Sequence, residues 1–116
     1  MEMEVSEIGG NVTCVRLTGR LDAPGADLIG ARFTAAVATM GRDAVVDLSG
    51  VSFLASMGMR LLISVARALH AKGSKLVLFG AQGPVQAVFD QAAFDQIVAI
   101  VANEPAALRQ LDASDS

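Results

Sequence analysis

The sequence predicts a single α/β domain, with a mostly parallel central sheet, an N-terminal β-hairpin and about four helices packed on the sheet. Three observations lead there. After two opening strand patterns, strand and helix patterns alternate, which calls for crossover connections between parallel neighbours. Residues 44–48 and 75–79 form two short runs that are almost continuously apolar at their centres, the mark of strands covered on both faces. The chain has 116 residues, 53% apolar and 18% charged, enough for one packed core without covalent staples.

The elements follow in order. Residues 12–17, rich in β-branched side chains, follow the turn signal Gly9-Gly10-Asn11 and close a hairpin with residues 3–8. The strand is expected to stop at Gly19. Pro24 suits a first helical turn, and Ala26, Ile29, Phe33, Val37 and Met40 form a helical stripe that ends at Gly41. The run 44–48 is the central strand, followed by a connecting segment 49–54. Leu61, Leu62, Val65 and Leu69 then mark one face of a second helix ending at Gly73, with Arg60, Ser64 and Arg67 on the other face. A strand at 75–79, a helix opened by Pro84, a short strand at 97–100 and a helix from Glu104-Pro105 through Leu111 complete the order. The domain is expected to span 1–111, with a polar, flexible tail at 112–116.

Composition narrows the function. Twelve acidic against nine basic residues give a net charge of −3, and the basic residues are scattered along the chain, so nucleic acid is not an expected partner. The most apolar helical stretch, 57–71, is interrupted by Arg60, Arg67 and His70, which argues against direct membrane insertion. The acidic start 1–7 is unlike a signal peptide, and a single cysteine makes no intrachain disulfide, so a reducing, cytoplasmic setting is expected.

Catalytic constellations are hard to assemble from these residues. His70 stands near the end of the second helix, where it serves the terminal carbonyls, and Cys14 lies inside a strand with no second cysteine. One His and one Cys give no metal-ligand cluster, so no metal or cofactor is expected. Gly80-Ala81-Gln82-Gly83-Pro84 lacks the lysine of a phosphate loop and reads as a strand-to-helix turn. Asp47 ends a buried strand, as a phosphorylated receiver aspartate would, but no acidic pair follows the second strand to hold magnesium.

Residues 45–62, from Val45-Val46-Asp47-Leu48-Ser49-Gly50 through Ala55-Ser56-Met57-Gly58-Met59-Arg60, resemble the signature of STAS-domain proteins. In that family a buried strand ending in Asp-Leu-Ser leads to an Asp-Ser-Ser-Gly turn that opens a helix. Leu17-Thr18-Gly19-Arg20-Leu21-Asp22 resembles the family's Leu-x-Gly-x-Leu-Asp segment. The resemblance implies an anti-sigma-factor antagonist, a non-enzymatic switch that binds an anti-sigma-factor serine kinase, is released when phosphorylated, and is reset by a serine phosphatase. It places the phosphorylated serine on Ser56 and implies a protein that is monomeric when free. Two positions depart from the pattern: Ala55 stands where the family has Asp, and Met57 where it has a small hydroxyl residue.

Helix chemistry alone offers another role for Ser56, since serine is a favoured N-cap whose loss costs about 1 kcal/mol. The expected partner-facing edge comprises Ala55, Met57, Gly58, Met59, Arg60, Ser64 and Arg67, with Asp22 either bordering it or simply forming a turn. The altered motif leaves a second role open, a non-phosphorylated STAS accessory subunit of a lipid ABC transport system.

Overall fold

The computed structural model describes residues 1–113. Strands β1 (Glu2–Ile8) and β2 (Val12–Leu21) form the expected antiparallel hairpin, with Val5 opposite Val15. Then come α1 (Ala23–Thr34), β3 (Ala44–Leu54), α2 (Ser56–Ala71), β4 (Leu76–Phe79), α3 (Gly83–Gln91), β5 (Ala99–Val101) and α4 (Glu104–Ala113). The five strands lie in sequence order across one sheet, and all pairs after the hairpin are parallel.

The two apolar runs do what alternation within a twice-covered strand requires. Val46, Leu48, Leu76 and Leu78 point to the larger core, shared with α1, α2 and α3, where Phe33, Leu62, Val65, Leu69, Val85 and Phe89 are buried. Val45, Val77 and Phe79 point to the opposite face, closed by Ala107 and Leu111 of α4. Phe89 and Phe94 stack at 4.8 Å between ring centres beneath β5.

Several element boundaries differ from the sequence reading. β2 does not stop at Gly19 but continues to Leu21, and residues 49–54 are not a connector but the second half of β3. Each extension supplies the other's partner: two register shifts, each with one extra residue in β3, keep the strands paired to Leu21 opposite Leu54. The first helix passes at Ala35 into one wider π turn, Ala35–Thr39, before the chain reverses at Gly41. The last strand begins at Ala99 because a 3-10 turn, Phe94–Gln96, precedes it. Helix α4 runs to Ala113, so Asp112 and Ala113 extend the helix where a tail was expected; the remainder of that tail lies outside the described residues.

Candidate functional site

The carboxyl ends of β2 and β3 deliver two helix starts side by side. Leu21 and Leu54 are paired, and a single residue, Asp22 after the first and Ala55 after the second, separates each strand from the start of α1 or α2. The amide of Ala55 donates to the Leu21 carbonyl (3.1 Å), and Met59 N–H donates to the Ala55 carbonyl (3.1 Å), which makes Ala55 the N-cap residue of α2. Ser56 is therefore the first helical residue rather than the cap. The cap position is taken by an alanine in extended backbone, with no side chain to accept from the first-turn amides.

Gly58, the third helical residue, fixes how close this helix sits to the sheet. A Cβ there would run into the Leu21 carbonyl oxygen and come within 2.7 Å of the Leu21 side chain. With Gly58 buried and seated on β2, Ser56 and Met57 are turned outward, and both are exposed. The result is a hydroxyl and an apolar thioether presented at the positive end of a 16-residue helix.

Asp22 borders this end and has a defined local task. It is the N-cap of α1: its Oδ1 accepts from Gly25 N–H at 3.0 Å, and its Oδ2 pairs with Arg20 Nε at 3.2 Å. The hydrogen bond from the Gly25 amide, aided by Arg20, holds its carboxyl below the usual aspartate range. The Arg20 guanidinium also lies over the Phe53 ring, 4.2 Å from its centre. Thus Asp22, Arg20 and Phe53 form a tethered group on the two strand ends that lead into α1 and α2.

Along α2 the expected division of faces holds. Leu62, Val65 and Leu69 are buried, whereas Arg60, Ser64 and Arg67 are exposed in one stripe and, with Ile63, line a shallow hollow. Arg60 reaches back over the Met57 sulfur at 4.0 Å, and Met59 is half-buried against the core. The structure therefore brings Ser56, Met57, Arg60, Ser64 and Arg67 onto one outward surface. Gly58 lies beneath it as a spacer, and Ala55 is half-buried at its base.

The remaining polar candidates are committed to structure. Asp47 is buried, and its carboxylate accepts from Ser49 N–H (2.9 Å) and Ser49 Oγ (2.6 Å) and pairs with Arg16 Nε (3.4 Å). Those contacts lie at the register shift between Asp47 and Gly50, beyond which β3 continues to α2. Cys14 is buried between β1 and β3, and burial raises its thiol pKa, which keeps it protonated and unreactive. Among the described residues no helix is long and apolar enough to cross a membrane.

A family model described as the STAS domain matches residues 2–107. The chain belongs to the STAS family. Solved structures carry the same fold. This STAS domain superposes on an anti-sigma factor antagonist from Mycobacterium paratuberculosis with a TM-score of 0.84 at 22% identity, covering 96% of this chain and 93% of that one. An anti-sigma-factor antagonist (STAS) domain protein from Planctomyces limnophilus gives 0.82 at 19% identity, over 95% and 97% of the two chains. The Bacillus cell fate determinant SpoIIAA, solved in its phosphorylated form, gives 0.68 at 20% identity, over 93% and 98%.

Two members of the STAS surface escaped the sequence reading. Phe53 is 41% exposed on the outward side of β3, and Arg20, quoted only as part of a motif, is the cation that covers it. No alternation marks Phe53: Val51 and Leu54 are buried while Ser52 and Phe53 between them are exposed, an arrangement set by the register shift between Gly19 and Arg20.

Proposed function

We propose that this STAS domain is an anti-sigma-factor antagonist, a cytoplasmic interaction module that performs no chemistry of its own. It binds an anti-sigma-factor serine kinase through the start and outer stripe of α2, with Met57, Arg60, Ser64 and Arg67 in contact and Asp22 at the margin. The kinase phosphorylates Ser56 and lets go; a serine phosphatase resets the protein. The observation that carries this reading is the exposed hydroxyl of Ser56 in the first turn of a helix whose N-cap offers no acceptor.

The physics of the switch follows from that position. A phosphate at a helix N-terminus meets outward-pointing amides and a positive dipole, which together favour an anion by about 0.3–1 kcal/mol, so the fold tolerates it. The same group adds about −1.5 to −2 charges beside Arg60. An acidic kinase surface suited to Arg60 and Arg67 would then face a phosphate, at a cost of several kcal/mol and a hundredfold or more in affinity.

The test is peptide mass spectrometry of protein recovered from its own cells, joined to capture of partners by wild type, Ser56→Ala and Ser56→Glu. Phosphate on Ser56, a soluble kinase retained by Ser56→Ala and its loss with Ser56→Glu support the reading. A second reading is favoured by Ala55 and Met57, which replace a carboxylate and a small hydroxyl residue with apolar groups: the non-phosphorylated accessory subunit of a lipid ABC transport system. Absence of phosphate under growth and stress, with a membrane ATPase captured instead, would select it.

A further inference from the structure

At the opposite end of the domain, where β4 and β5 begin, the last turns of α2 overhang a cleft of about 360 Å³. Leu76 and Val98, both buried, lie beneath it, and Ile97 stands at its margin with 52% of its surface exposed. Arg67 and His70, three residues apart on one helical face, project at the opposite side. Lys75, from the turn into β4, and Gln110 of α4 complete the polar lining. Among the described residues no acidic side chain lines the cleft, and no ion pair holds Arg67.

The charge distribution makes this unusual. Between Asp47 and Asp90 the sequence contains no Asp or Glu, yet it contains Arg60, Arg67, Lys72 and Lys75. The basic residues that look scattered along the chain are thus confined, in this stretch, to α2 and the turn after it, in a protein whose net charge is −3. A cleft of this size is within the range that holds small molecules, and its lining joins apolar side chains to a few convergent polar groups. A polyanion is disfavoured by the acidic remainder of the surface, whereas a single negative charge meets Arg67 without that repulsion.

From this juxtaposition we infer that the cleft binds a small amphipathic anion, a carboxylate or phosphate monoester with a short alkyl body. The alkyl body covers Leu76, Val98 and Ile97, and the head group meets Arg67 and His70. The site is remote from Ser56 and shares only Arg67 with the stripe assigned to the kinase, and it is tested without any partner protein.

The experiment is a titration of the isotope-labelled full chain with sodium octanoate below its micelle concentration, followed by amide NMR. The expected result is saturable shifts confined to residues 66–70, 74–77 and 97–99. Octan-1-ol should bind at least tenfold more weakly, and Arg67→Gln with His70→Gln should raise the Kd for octanoate at least tenfold while the rest of the spectrum stays unchanged. Ile97→Ser should weaken octanoate and octanol alike. Absence of saturation, shifts centred elsewhere, equal affinity for octanol, or shifts seen only with phosphatidylglycerol vesicles would each overturn the inference.

Discussion

The starts of α1 and α2 use the same steric device and opposite chemistry. Each helix has a glycine at its third position, and each glycine sits against a carbonyl of β2: Gly25 against Arg20, and Gly58 against Leu21. Both helices are thereby drawn close to the sheet. At α1 the end is then closed, because Asp22 accepts from the Gly25 amide and Pro24 presents no amide at all. At α2 no side chain closes it: the cap is Ala55, and the exposed Ser56 and Met57 follow. One helix start is completed by its own sequence, and the other is left with its donors unspent, which is what a site for an anion or a partner requires.

The largest effect expected from disturbing this arrangement concerns the device they share. Gly58→Val should destabilise the domain by about 3 kcal/mol, the upper part of the range for overpacking, because the obstacle is a strand carbonyl that cannot rotate away. Urea unfolding measures it, and a loss below about 1 kcal/mol would show that α2 can lift from β2 at little cost. Replacing the spacer also displaces Ser56 and Met57, so partner capture should fall together with stability.

The next prediction exchanges the chemistry of the two ends. Ala55→Asp should stabilise the domain by about 1 kcal/mol, by giving α2 the acceptor that α1 already has. It should raise the thermal midpoint by a few degrees. An unchanged midpoint would mean that the first-turn amides of α2 are already satisfied by water at no cost.

The reverse change, Asp22→Ala, should lower the urea midpoint, and the effect should depend on pH. The folded-state pKa of Asp22 lies below its unfolded value, chiefly through the Gly25 hydrogen bond. Its contribution is therefore complete above the unfolded aspartate pKa and is lost as pH falls through the lower folded-state value. Wild type and Asp22→Ala should differ near neutrality and converge in strong acid; a difference that persists at the lowest pH would assign the loss to packing.

The smallest expected effect is that of Arg20→Ala, which removes the cation over Phe53 and costs about 0.5–1 kcal/mol, as is usual for exposed pairs of this kind. The more telling readout is partner capture, since the change bares Phe53 beside the α2 start. Retained stability with altered capture would extend the interaction surface onto the strand ends.

Much of this was legible in the sequence. The apolar runs at 44–48 and 75–79, short and closely followed by glycines, point to two central strands, because a strand covered on both faces is apolar at successive positions and these runs are too short for a buried helix. The spacing of Leu62, Val65 and Leu69 determines the buried face of α2 and hence the outward stripe of Arg60, Ser64 and Arg67. The residues around Ser56 and the segment ending at Asp22 were sufficient to indicate the STAS family. Tertiary structure decided what depends on a neighbour. The lengths of β2 and β3 are set by each other through register shifts that no local propensity encodes. The role of Ser56 changed by one position, from cap to first helical residue, because the Ala55 amide is drawn to Leu21 of the adjacent strand. Only the folded chain brings Arg67 and His70 across from Ile97, since these residues are far apart in sequence and meet where the helix passes over the sheet edge. Periodicity reports which face of an element is buried; which surfaces meet is decided when the elements pack.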